Sequence, residues 1–407
     1  MYVSLLSLRS YRGAVDLDLE LAPGVNVLYG VNGAGKTSVL RALATLLDPG
    51  ELAPSGAPTL SADDLHARLV SDGDAWRTER ADEAEVRAEL AGSGVTWSVA
   101  VRGAGRATVR GRRPWLDALA ARVASEDEPW PVLLYLGAAR FPEGRLDPEA
   151  LIAPRRADGW RGALDAQADL GRLIAWWDAH WRRAVHRGPA PAFLAVQRAL
   201  REALELRDLG YDPELRQLVV DWGAGPVRSA WLSDGQRSFL GVLGEIAWRM
   251  ETLNPSLGEA LCARTPGVVL LDEPDLHLHP SWQRRVVSAL STAFPAVQLV
   301  LATQAPLVLG SVPASSAWEL TDRGPRRPDA LLGAPPEGVL RDVMGLADVR
   351  PDAPIVAALR RYCRLVDDGR GHEAAELEAE LAASELAEDP AFVRARRRAA
   401  LDAGGGR

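Results

Sequence analysis

The stretch VNVLYGVNGAGKTSVLRAL, residues 25–43, decides how the rest of the chain is read. Val25 to Tyr29 is a short apolar run that predicts a buried strand. From Gly30 the residues Gly30-Val31-Asn32-Gly33-Ala34-Gly35-Lys36-Thr37 fit the pattern G-x-x-x-x-G-K-[ST]. Glycines at these positions let the backbone turn its N–H groups toward phosphate oxygens, and the helix that starts there adds partial positive charge. Lys36 is placed to reach β- and γ-phosphates and Thr37 to ligate Mg2+. Val39, Leu40, Leu43 and Leu46 recur at helical spacing, and Asp48-Pro49-Gly50 ends the helix. Strand, glycine loop and helix in this order predict an ATP site contacted by Gly30, Asn32, Gly33, Ala34, Gly35, Lys36, Thr37 and Ser38.

Two distant segments extend the reading. Val268 to Leu271 is a buried-strand run that ends in Asp272 and Glu273. Asp272 suits the Mg2+ shell, and Glu273 suits the orientation and deprotonation of an attacking water. Adjacent residues at a strand end point apart, which fits two separate tasks. Taken alone, the pair reads equally as two solvated acids. Between the two segments lies Leu232-Ser233-Asp234-Gly235-Gln236-Arg237, a Ser and a Gly ahead of a helix. That is either an ordinary N-cap or a second anion site; the order of the three motifs favours the anion site.

The rest of the chain sets limits. Its 407 residues are 47% hydrophobic and 25% charged, ordinary for a globular protein, and the net charge of −8 argues against a surface devoted to nucleic acid. Local basic clusters at Arg110, Arg112 and Arg113, at Arg155 and Arg156, and from Arg394 to Arg398 leave a nucleic-acid contact open beside the reading of solvated faces. Two isolated cysteines, Cys262 and Cys363, make neither a metal spacing nor a disulfide framework, so a cytoplasmic setting is expected. No apolar run is long enough for a membrane span. Residues 2–8 and 15–21 alternate as strands, 74–113 suggest a small antiparallel sheet, and 132–136 a buried strand. Residues 164–186 and 191–207 read as an αα-hairpin, on which Trp176, Trp177 and Trp181 are either core or a partner patch. Helices are expected after Ser233, from about Ser281 and three times between 354 and 401, with a strand over 297–301. The fold class is therefore α/β, a mixed core sheet with flanking helices.

The three motifs in this order resemble the ABC-type ATPases, and GVVLLDEPDLHLHPSWQRRVVSALSTAFPAVQLVLATQAPLVL (267–309) is similar to the SMC/RecF/OLD-like branch and its Septu- and retron-associated ATPases. The resemblance implies an ABC-type head over 1–325, with a β subdomain at about 60–140 and a helical lobe at about 141–212. A linker at 326–353 and a helical region at 354–403 follow. It implies ATP held between two protomers. Lys36, Thr37, Asp272 and Glu273 would act in one chain, and Ser233, Asp234, Gly235 and Gln236 on the nucleotide of the other, in a homodimer or higher oligomer. Where such proteins carry a switch histidine, this chain has Gln304, which can hydrogen-bond a phosphate or water but carries no charge; slow hydrolysis is expected. No glutamine stands between Thr37 and Gln167 to serve as a Q-loop residue. Arg140 lies where relatives often carry an arginine near the nucleotide, and reads here as a surface arginine. His277 and His279 fall in the turn after Glu273, as packing residues rather than metal ligands. The resemblance implies control of a separately encoded effector, such as an HNH nuclease, in anti-phage defence; a RecF-like ATPase that binds DNA is the alternative.

Overall fold

The computed structural model describes residues 1–72, 75–103, 111–140, 155–168, 170–346 and 348–404. They form two compact units, Met1–Val339 and Leu340–Arg407, and the boundary falls inside the stretch read as a linker.

The strands of the first unit are, in chain order, β1 (Val3–Tyr11), β2 (Ala14–Glu20), β3 (Val25–Tyr29), β4 (Ala67–Asp72), β5 (Ala75–Arg80), β6 (Glu83–Leu90), β7 (Val95–Arg102) and β8 (Val132–Leu136). They continue with β9 (Asp208–Asp212), β10 (Gln217–Asp221), β11 (Pro226–Arg228), β12 (Gly267–Asp272), β13 (Val297–Ala302), β14 (Ala317–Thr321) and β15 (Gly324–Arg326). The central sheet has the order β15-β14-β3-β13-β12-β8. All neighbours in it are parallel except β15, which closes one edge antiparallel to β14. Strands β8, β12 and β13 are buried along their whole length, as sequences covered on both faces should be.

A second, antiparallel sheet has the order β2-β1-β6-β7. Its alternation buries Leu6, Leu8, Val86, Ala88, Trp97 and Val99 on one face. The helix after the glycine loop, α1 (Lys36–Leu46), packs between this sheet and the central one, which is why all its apolar residues from Val39 to Leu46 are buried. Its last carbonyls are capped by indoles: Trp97 Nε1 donates to Leu46 O at 2.8 Å and Trp115 Nε1 to Asp48 O at 3.1 Å, the two rings being stacked.

The small sheet expected over 74–113 is thus corrected. β6 and β7 complete the sheet begun by β1 and β2, while β4 and β5 form a separate hairpin. A helix, α2 (Arg113–Ala124), follows; only Trp115 and Leu119 of it are buried. Helices α3 (Leu170–Arg187) and α4 (Pro191–Leu204) both lie against the long helix α5 (Asp234–Leu253). The ribbon β9–β11 had no counterpart in the sequence reading. Trp176 and Trp177 are core, meeting Phe193 of α4, and Trp181 is only partly covered, against Tyr211. The first part of the helical lobe, 141–154, lies outside the described residues.

The second unit holds helices Pro354–Asp367, Gly371–Ala382 and Pro390–Gly404 around Leu359, Tyr362, Leu365, Leu381 and Phe392. Two arginines of its basic cluster are paired, Arg396 with Glu378 and Arg398 with Asp367, each at 2.8 Å. No helix among the described residues is long and apolar enough to cross a membrane.

Candidate functional site

Ligands of open α/β sheets sit beyond the carboxyl ends of the strands, and four such ends meet here. Leu28, Ala302, Asp272 and Leu136 are aligned through ladder pairs between β3 and β13 and between β13 and β12, with Leu271 opposite Leu136. The glycine loop leaves β3 at Gly30, whose φ is +143° and where a Cβ would stand 2.5 Å from Leu320 O. Gly33 and Gly35 also have left-handed φ, so the loop depends on residues without a Cβ. Lys36 Nζ is folded back on the loop, donating to Gly30 O at 2.9 Å and Val31 O at 3.1 Å. Burial lowers its pKa against the raising influence of Asp272 and Glu273.

Across the chain, Thr37 Oγ1 donates to Asp272 Oδ2 at 2.7 Å. Burial raises the Asp272 carboxyl above the usual range, opposed by Thr37, Lys36 and Arg140. A buried carboxylate beside a hydroxyl is a hard-oxygen pair that fits Mg2+. Glu273 follows at φ +48°, a left-handed conformation that costs a non-glycine residue about 1–2 kcal/mol. Its N–H still donates to Ala302 O at 2.8 Å. Past β13, Thr303 N donates to Leu28 O at 3.0 Å and its hydroxyl to Asp275 Oδ1 at 2.5 Å, which fixes the segment carrying the half-buried Gln304 between β3 and β12.

Two regions of sequence match family models. Residues 148–310 match "AAA domain, putative AbiEii toxin, Type IV TA system" and residues 3–87 match "AAA domain". The chain is 31% identical over 150 residues to the retron Ec83 probable ATPase of Escherichia coli, 37% of this chain and 27% of that one. It is 26% identical over 145 residues to the Septu protein PtuA of Bacillus thuringiensis, 33% and 36% of the two chains. It is also 46% identical over 74 residues to the DNA replication and repair protein RecF of Roseiflexus castenholzii, 18% and 17% of the two chains. Over these segments the chain is similar to ATPases of the SMC/RecF-like kind. In each of these pairs the match covers well under two thirds of the relative.

The Ser233 segment is built differently from the strand ends. Ser233 Oγ accepts from Gln236 N at 3.3 Å and Gln236 Oε1 accepts from Ser233 N at 3.0 Å, a reciprocal capping box. Ser233 and Asp234 are exposed, and Asp234 pairs with Arg237 one turn on. Gly235 is buried, and a Cβ on it would stand 2.2 Å from His277 O. Its small size therefore serves the approach of α5 to the turn after Glu273. Trp282 ties the same parts together, its ring meeting Phe239 of α5 and Trp222 beyond β10. His277 holds that turn at φ +62°, and His279 Nδ1 caps the next helix by accepting from Ser281 N.

Arg140 corrects the sequence reading. It is 1% exposed and lies under the site, its guanidinium donating to the carbonyls of Gly137, Asp272 and Glu273. Burial pushes its pKa down to about 10 against the opposing charges of Asp272, Asp275 and Glu273. Nothing local marks it in the sequence, because two of the three carbonyls it meets, those of Asp272 and Glu273, lie more than 130 residues away. Two basic clusters also change character: Arg112 pairs with Asp48, and Arg156 donates to Leu253 O and lies over the Trp130 ring. Arg110 falls outside the described residues.

Proposed function

We propose that this chain binds ATP with Mg2+, dimerises around it and hydrolyses it slowly, and that ATP occupancy regulates a separately encoded effector in cytoplasmic anti-phage defence. The observation that carries the ATPase reading is the 2.7 Å bond from Thr37 to Asp272, which joins the end of the glycine loop to the carboxylate strand beyond the carboxyl ends of the strands. Gly30, Asn32, Gly33, Ala34, Gly35 and Ser38 would surround the phosphates with Lys36, and Thr37 and Asp272 would hold the metal. Bound Mg2+ would offset charge on the β- and γ-phosphate oxygens. Glu273 takes the proton of a water whose oxygen bonds to the γ-phosphorus as the bond to the β-bridging oxygen breaks, releasing ADP and phosphate. Gln304 would orient that water or a phosphate oxygen without adding positive charge, which keeps turnover slow.

Dimerisation is supported by the exposed start of α5, where Ser233, Asp234, Gly235 and Gln236 would meet the nucleotide of a second protomer. The retron and Septu relatives support the defence role, and the three-helix unit is the proposed holder of the effector, an HNH nuclease being one chemistry that fits. The test is turnover together with mass in solution: slow, Mg2+-dependent phosphate release and an ATP-dependent dimer are expected. Turnover of many ATP per second would overturn the switch reading. Tight, steeply salt-dependent DNA binding by the protein alone would favour the RecF-like alternative.

A further inference from the structure

The side chain of Arg140 is almost wholly enclosed, and its fork is directed at main chain. One terminal nitrogen donates to Gly137 O at 3.1 Å and Asp272 O at 2.7 Å, the other to Glu273 O at 2.8 Å. Successive carbonyls of an extended strand point to opposite edges, so one guanidinium cannot reach both unless the chain turns between them. Glu273 makes that turn. Its N–H completes the ladder toward β13, at 2.8 Å from Ala302 O, so Asp272 O of the same trans peptide faces the β8 side. The left-handed φ at Glu273 then brings the next carbonyl round to Arg140 as well. Glu273 O also accepts from Leu276 N at 3.1 Å, closing the turn. Arg140 is itself anchored, its carbonyl accepting from Ala168 N at 2.6 Å, while Gly137 N donates to Ala166 O at 2.9 Å.

We propose that Arg140 is a positioning residue for hydrolysis: its guanidinium clamps the Asp272–Glu273 main chain, fixing the directions in which the two carboxylates leave the strand end. This rests on the reading of Glu273 as the base. The clamp needs a planar fork, which a lysine ammonium lacks. It also links the carboxylates to residues 166–168, so that a shift of that segment is felt at the site.

The test compares full-length wild type with Arg140→Lys and Arg140→Ala by three measurements. In nucleotide-free protein, the Glu273 and Leu276 amides of both variants should exchange hydrogen about 10-fold faster or more, with glycine-loop peptides unchanged. Affinity for a fluorescent ATP analogue should stay within about 3-fold, while kcat falls roughly 30-fold or more at unchanged KM. Arg140→Lys should resemble the alanine variant. Wild-type exchange and kcat in Arg140→Lys would show that charge alone suffices and overturn the clamp; unchanged exchange in either variant would do the same. Should the alanine variant not fold, the lysine variant decides. Should wild type not turn over ATP, the hydrolytic reading fails, and the exchange result still decides the clamp.

Discussion

The strand-end half of the candidate site and the α5 half are held in opposite ways. At the strand ends three groups are fixed from far away in sequence: Thr37 by Asp272, Thr303 by Asp275, and the Glu273 main chain by Arg140 and Ala302. At the start of α5 the side chains of Ser233 and Asp234 bond only within their own helical turn, and they face solvent. A half bonded across the fold is preorganised for chemistry. A half bonded to itself at the surface is available to something arriving from outside.

Four substitutions break or sharpen this contrast. The largest effect is expected of Glu273→Gln, which keeps the shape and removes the base: phosphate release should fall about 10²–10³-fold. The ATP-bound dimer should accumulate at the same time, as read by light scattering; a variant that hydrolyses normally would remove Glu273 from its role. Lys36→Ala comes next, with fluorescent-nucleotide affinity expected to drop roughly 100-fold, about 3 kcal/mol, from loss of a charge-assisted phosphate contact. Ser233→Arg separates the halves: ATP binding by the single chain should stay within about 2-fold, while dimer formation weakens about 10-fold or more through steric conflict. If ATP binding fell as steeply as in Lys36→Ala, the two halves would not be separable. Removal of residues 340–407, a compact unit with its own core, should change nucleotide affinity least, within about 2-fold, yet abolish co-purification of the effector.

The same contrast decides what the sequence discloses. The glycine loop is legible because left-handed φ and close approach demand glycine at fixed spacings, and β8, β12 and β13 because full burial makes them continuous apolar runs. Arg140 was misread, since an arginine bonded to carbonyls leaves no partner residue type to look for. Gln298 is silent for the same reason, a buried glutamine inside β13 whose amide serves Val3 N, Val3 O and Ala22 O. Strands β9 to β11 are three to five residues long, too short to single out a strand. At Gly235 the residue was legible and its reason was not: a single chain already requires glycine there, against His277 O.

The reciprocal cap at Ser233 carries one more consequence. An anion that settles on this helix start finds the Ser233 hydroxyl and the Gln236 amide already engaged with each other. Its arrival is therefore an exchange of partners rather than a net gain in hydrogen bonds, and the difference has to come from charge meeting the helix dipole. A highly charged terminal phosphate can win that competition where a neutral or weakly charged group cannot, which makes the resting cap a filter on what the helix start accepts.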